Sequence, residues 1–162
     1  MIFVTVGTTS YPFIRMSDFI YSYARENLET YILFQHGETD VEWKLANVEK
    51  VKFLDFSQHK AAIKKATMII SHGGPATIYL AVNFNKKPFV MPRERRFGEH
   101  INNHQVYFVQ MLIKKKMVLP HSELSSQKPK LELKVPTKYG QNQRHRLRIT
   151  NFLDTFCASE LL

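Results

Sequence analysis

Met68-Ile69-Ile70-Ser71-His72-Gly73-Gly74-Pro75-Ala76-Thr77 passes from β-favouring residues into two adjacent glycines, and the apolar, helix-compatible segment 78–82 follows. The glycines allow a sharp turn and the close approach of a ligand to the backbone. Pro75 suits a first helical position, where its missing N–H costs nothing. The unit is therefore strand, glycine turn, helix. The uncommitted N–H groups of such a helix start, with the positive end of its dipole, form a site for phosphate or diphosphate, and Thr77 would add a hydroxyl from the first turn. A tight connection without a ligand would use the same glycines. A second apolar run, 88–91, ends at Pro92 and opens into Arg93-Glu94-Arg95-Arg96-Phe97-Gly98-Glu99-His100 and then Ile101-Asn102-Asn103-His104-Gln105. In an open parallel sheet these two strand ends reach one crevice.

On the N-terminal side, residues 2–6 form a short β-rich run that ends at Gly7, with Thr8, Thr9 and Ser10 as a polar turn. A helix is predicted from about Pro12, with Phe13, Ile14, Phe19, Ile20 and Tyr23 on one face. Residues 29–34 and 51–56 read as the second and third strands, with a short helix over 41–46 between them. Ser57 is the expected N-cap of a helix through Lys65. Beyond the central unit, a helix opening near Gly98 runs through Val106, Phe108, Val109 and Leu112, and 118–119 predict a last short strand. This alternation predicts an α/β fold, a Rossmann-like doubly wound parallel sheet, over residues 1–120. Residues 121–142, broken by Ser125, Ser126, Pro129, Pro136 and Gly140, read as an irregular basic connector. Residues 143–162 read as a terminal helix placing Leu147, Ile149, Phe152, Leu153 and Phe156 on the same domain.

A chain of 162 residues, 44% hydrophobic and 23% charged, fits one globular domain with a sizeable core. Its single cysteine, Cys157, excludes an internal disulfide framework. No apolar run approaches the roughly 20 residues that span a bilayer, and Met1-Ile2-Phe3-Val4 reads as a buried strand rather than a leader. A cytoplasmic location is expected. The net charge of +9 invites an anionic partner. No nucleic-acid module with interleaved aromatics is present, so nucleic acid is not the expected partner. Lys114-Lys115-Lys116 and Arg144, Arg146 and Arg148 would be drawn to acidic headgroups at about 1 kcal/mol per charge near the surface; a solvated charged face explains them equally well.

Three separated motifs, S-H-G-G-P-A-T at 71–77, K-P-F-V-M-P-R at 87–93 and F-G-E-H-I-N-N-H-Q at 97–105, occur in the order found in one family. With Val4-Thr5-Val6-Gly7-Thr8-Thr9 and Pro12-Phe13, residues 1–119 resemble the C-terminal, donor-binding half of MurG-type UDP-sugar glycosyltransferases. They most resemble the short subunits of two-component capsule and exopolysaccharide transferases. The resemblance implies half of a GT-B fold. It assigns the diphosphate of a UDP-sugar to the backbone near Gly73, Gly74 and Thr77. It turns Gly7 and Thr8 toward the cleft between the two halves and makes His104 and Gln105 part of the sugar-recognition loop. Arg93 would neutralise the diphosphate. His72 reads either as a ligand contact or as a buried structural histidine. Phe53-Leu54-Asp55-Phe56 would frame the uracil or simply end a strand in core aromatics. Leu80 stands where many members of the wider superfamily carry a ribose-binding glutamate.

His100 and His104, four apart, would share a helix face and suggest zinc, but a third ligand is missing, so neither metal nor cofactor is expected. Glu99 and His100 are the local candidates for the catalytic base, unless a partner supplies it. The implied function is a UDP-sugar-binding subunit of an inverting transferase, passing a hexose, galactose in β-1,4 linkage, to lipid-linked glucose. A membrane-anchored partner would bring the acceptor half and hold this chain at the inner face of the membrane. The alternatives are a non-catalytic stabilising subunit and a basic nucleic-acid-binding module.

Overall fold

Short strands buried on both faces call for near-continuous apolar runs, and the chain supplies them at the two central positions. The computed structural model describes residues 1–124. Its elements are β1 (Ile2–Thr5), α1 (Ile14–Glu26), β2 (Ile32–Gln35), β3 (Val48–Val51), α2 (Phe56–Lys65), β4 (Met68–Ser71), α3 (Pro75–Asn83), β5 (Phe89–Val90), α4 (His104–Lys114) and β6 (Leu119–Pro120), with single 3-10 turns at Arg95–Phe97 and His121–Glu123. The six strands are all parallel and lie in the order β3-β2-β1-β4-β5-β6. This is the doubly wound α/β fold.

Register follows from the apolar alternation. Ile2, Val4 and Ile70 point into the core under α1, with Met16, Ile20, Tyr23 and Phe34. Phe3 and Ile69, one residue out of phase, point to the other side and pack on Ala62, Ile63 and Ala81 of α2 and α3. α4 closes the far end with Phe108, Val109 and Leu112 against Ile78, Val90 and Val118. Thr5 stands beside both Gln35 and Ser71, so three strands end abreast. Their connecting turns therefore open at one level.

Several local expectations shift. Ile14 is 51% exposed, and Met16 and Ser17 take the inward positions instead; Ser17 accepts a hydrogen bond from Trp43 Nε1 at 3.1 Å. β2 begins at Ile32, three residues later than predicted, because Asn47 Nδ2 donates to the carbonyls of Ala24, Asn27 and Thr30 and holds the preceding turn. β3 is Val48–Val51, not 51–56. No helix forms over 41–46, where Lys50 Nζ instead donates to the Val41 and Trp43 carbonyls. α4 starts at His104 with Asn103 as its cap, so no helix runs from Gly98. The predicted connector, beyond its first four residues, and the predicted terminal helix lie outside the described residues.

The cap of α2 is Asp55 rather than Ser57. Its carboxylate accepts from Gln58 N at 2.8 Å while Gln58 Oε1 accepts from Asp55 N at 3.0 Å, a reciprocal capping box. Asp55→Ala is expected to cost about 1 kcal/mol, lowering the thermal midpoint by roughly 2–4 °C. Ser57→Ala, at an exposed helical position, should leave it unchanged. A melting comparison of the two variants checks the assignment.

Candidate functional site

The chain leaves β1 toward β2 on one side and leaves β4 toward β5 on the other, so strand order reverses between β1 and β4. In open α/β sheets the crevice outside the strand carboxyl ends at such a reversal is where ligands bind. Two glycine turns meet there. Gly7 follows β1 with φ +81°, its N–H on Thr5 Oγ1 at 3.1 Å. Gly73 follows β4 with φ +91°, its N–H on Ser71 Oγ at 3.3 Å.

His72 fills the space between them. A Cβ on Gly7 would come 2.6 Å from His72 Nε2, and one on Gly74 would come 2.3 Å from the same atom. A Cβ on Gly73 would meet Val109 Cγ2 at 2.7 Å. These glycines therefore make room for protein side chains, in addition to any ligand they admit. His72 Nδ1 lies 3.3 Å from the Thr5 carbonyl and donates to it, leaving Nε2 unprotonated between the turns. Burial, reinforced by the Arg93 charge and only partly opposed by the hydrogen bond to Thr5, drives its pKa down to about 3. Of the two readings of His72, the buried structural one describes its place.

α3 begins immediately beyond. Gly74 is its N-cap and Pro75 its N1 residue, as expected, and Gly74 offers no side-chain acceptor to the first turn. The N–H groups of Ala76 and Thr77 have no partner within the helix, and Ala76 is exposed at the crevice rim. Thr77 is buried, and its hydroxyl engages His59 Nε2 at 3.3 Å. His59 Nδ1 faces Gln35 Oε1 at 3.2 Å, and Gln35 Nε2 donates to the Gly7 carbonyl at 3.3 Å. This polar chain from Gly7 to α3 was not anticipated. Its one sequence signal was a strand ending in the polar Gln35, since the pairing of Gln35 with His59 depends on tertiary contact.

The loop after β5 departs furthest from expectation. Arg93 has no exposed surface. Its Nη1 donates to the carbonyls of Tyr11 at 2.8 Å, Glu99 at 3.1 Å and Pro12 at 3.3 Å, and its Nη2 to that of Val6 at 2.7 Å. The guanidinium carbon lies 4.7 Å from the centre of the Phe13 ring. Burial lowers its pKa to about 10, so it stays charged near neutrality. A guanidinium enclosed in this way does not reach a diphosphate in the crevice. Glu99, expected as a base, is 2% exposed. It accepts from Arg15 Nε at 2.7 Å, Arg15 Nη2 at 2.6 Å and Glu94 N at 2.9 Å, so its oxygens are committed within the protein.

His100 remains half-buried at the surface of this loop, its ring 6.2 Å from that of Tyr11. His104 is exposed at the start of α4, and the two histidines do not share a helix. Among the described residues no three His, Cys, Asp or Glu side chains are grouped to hold a metal ion. Gln105 Oε1 accepts from Arg93 N at 3.3 Å, which leaves its amide nitrogen as the group able to donate outward. Thr8 is exposed beside Gly7. Phe53, in the loop after β3, and Phe56, the first residue of α2, are 44% and 70% exposed and are not core aromatics. Leu80 packs with Phe3, Ile63 and Ile69.

A sequence model of the glycosyltransferase family 28 C-terminal domain matches residues 1–153. The chain belongs to this family. The match extends past residue 119, where the motif-based resemblance ended. A search of curated proteins finds no match. The glycotransferase of kitacinnamycin superposes over 97% of this chain and 39% of its own, with TM-score 0.57 and 12% identity. SnogD, a glycosyltransferase from Streptomyces nogalater, aligns over 77% of this chain and 42% of its own, with TM-score 0.43 and 16% identity. This family 28 domain thus spans about two fifths of the length of the first of these structures. Among its described residues no helix is long and apolar enough to cross a membrane.

Two measurements test the packing of His72. Gly74 has φ −65° and ψ 132°, which alanine adopts freely, so the cost of Gly74→Ala is steric. It should destabilise by about 1–3 kcal/mol, and by much less in a His72→Ala background; a double-mutant cycle reads the coupling. The second test is pH. Above about pH 6.5, His72 is neutral in both folded and unfolded chains. As pH falls from there toward 3, only the unfolded chain takes up the proton, so stability falls by up to about 1.4 kcal/mol per unit from this group. His59 and His121, also lowered by burial, act with the same sign. Urea midpoints between pH 4.5 and 6.5 should show a shallower dependence in His72→Gln.

Proposed function

We propose that this chain is the donor-binding half of an inverting glycosyltransferase that uses a UDP-sugar. The observation carrying the reading is the meeting, at the strand-order reversal, of the Gly7 turn with the Gly73-Gly74 turn that opens onto α3, in a family 28 C-terminal domain. The diphosphate lies against the first turn of α3, and the sugar extends toward Gln105 and His104. An acceptor hydroxyl oxygen attacks the anomeric carbon from the face opposite the diphosphate. The bond from that carbon to the diphosphate oxygen breaks, its electron pair leaves with UDP, and the hydroxyl proton passes to a base. The helix N–H groups stabilise the charge that develops on the departing diphosphate, and in this reading no cation is required. With Glu99 committed to Arg15, the base is His100 at the rim or a residue of the acceptor half.

The acceptor half comes from further polypeptide, a reading supported by the glycotransferase of kitacinnamycin, of which this chain covers 39%. The resemblance to short transferase subunits favours a separate, membrane-anchored partner, a lipid-linked saccharide as acceptor, and this chain at the inner membrane face. It also favours galactose passed in β-1,4 linkage to lipid-linked glucose for a capsular or exopolysaccharide repeat. A second reading, a non-catalytic stabilising subunit, draws on Leu80, a partly buried apolar residue packed against the core where a ribose-binding carboxylate is common.

Thermal unfolding with UDP in EDTA separates the two. Saturation at about a hundred times the dissociation constant adds about 2.7 kcal/mol, a rise of roughly 5–10 °C for a domain of this size. The rise is expected in the wild type and absent in a folded Gly74→Val variant. Absence of any rise, both alone and with the acceptor-binding partner, would overturn the donor-site reading and leave the scaffold.

A further inference from the structure

The polar chain beneath the crevice fixes the direction of each of its hydrogen bonds. Gln35 Nε2 donates to the Gly7 carbonyl, which turns Gln35 Oε1 toward His59. An oxygen there requires the proton of neutral His59 on Nδ1, so Nε2 carries a lone pair. Thr77 is therefore the donor in its contact with Nε2, and its single hydroxyl proton is committed to the imidazole. In that state Thr77 has only lone pairs left for a ligand, and these repel an anionic oxygen.

Protonation of His59 reverses this. With N–H on both ring nitrogens, Nδ1 still donates to Gln35 and Nε2 now donates to Thr77 Oγ1, freeing the hydroxyl proton to point outward. We propose that His59 is a positioning residue that sets the donor state of Thr77, and that a diphosphate binds in the crevice together with one proton taken up on His59. The inference rests on the donor-site reading above. One proton enters, one hydroxyl reorients, and no covalent bond changes.

The surroundings suit the exchange. Phe3 of β1 packs edge-on against the ring at 5.2 Å, and its hydrogen-bond partners are Gln35 of β2 and Thr77 of α3, none of them charged. On its own helix, Lys60 is exposed and the Asp55 carboxylate caps Gln58 N. His72, in the adjoining turn, is neutral above about pH 3. Burial lowers the His59 pKa, so without ligand the ring is neutral near pH 7. The negative diphosphate is the one new charge that binding brings close, and it favours the imidazolium.

The test is titration calorimetry of the full chain with UDP-glucose, whose diphosphate diester carries no titrating proton near neutrality. Measured at one pH between 6 and 7 in two buffers of different ionisation enthalpy, wild-type binding should take up a substantial fraction of one proton. The affinity should weaken by up to about tenfold per pH unit between the free and bound pKa values of one linked group. His59→Gln presents an amide N–H to Thr77 at every pH, so its binding should persist with no pH dependence and no proton uptake. Thr77→Val should bind more weakly and also take up none. Wild-type binding of equal strength at pH 6 and pH 8 without proton uptake would overturn the role of His59 and leave the donor site standing. Absence of UDP-glucose binding at every pH, alone and with the acceptor-binding partner, would overturn both.

Discussion

A single buried cation holds the crevice walls together. Arg93 comes from the loop after β5, yet it donates to Val6, Tyr11 and Pro12 in the segment after β1, as well as to Glu99 in its own loop. Burying a guanidinium costs several kcal/mol; the carbonyls on Nη1 and Nη2 and the face of Phe13 offset much of that cost, while Nε is buried without a hydrogen-bond partner. Lysine would not substitute, because an ammonium lacks the planar fork that reaches carbonyls on two sides. Glu99 extends the tie by accepting the Arg15 fork from α1. The first helix and the loops after the first and fifth strands are therefore tied into one wall.

Steric economy governs the facing turns. His72 lies between Gly7 and Gly74 because neither has a side chain, and its burial keeps it neutral next to Arg93. A charged imidazole in that place would oppose the guanidinium on which the wall depends. The glycines thus have two consequences from one cause: the turns pack tightly on protein, and the helix start they lead to remains open at the rim. A diphosphate bound there, as proposed, would meet turns already packed on protein, which limits the ordering cost of binding.

The central unit was legible because its signals are local. Strand run, glycines, proline and apolar helix follow one another in a single stretch, and the alternation of strands with helices gave the parallel sheet. The capping box was legible as well, since Asp55 and Gln58 stand three apart, yet Ser57 drew attention as the more familiar cap. β3 was misplaced because Val48-Glu49-Lys50-Val51 is half polar, as an edge strand can be, while the following aromatics imitate a core. Arg93 and Glu99 were misread for a different reason. Arg93, Arg95 and Arg96 look alike in one polar loop, and what distinguishes Arg93 is a set of carbonyls more than 80 residues away.

The floor of the crevice shows how strand register becomes chemistry. Gln35, His59 and Thr77 belong to β2, α2 and α3, and they meet only because β2 ends level with β1, with Gln35 beside Thr5. A slip of one residue would turn Gln35 to the opposite face of the sheet. His59 would then lose the acceptor that fixes its tautomer, and the Thr77 proton would lose its fixed direction. The apolar alternation that seats Ile2, Val4 and Phe34 under α1 forbids that slip. Core packing on one side of the sheet therefore determines, on the other, which partner the Thr77 hydroxyl meets.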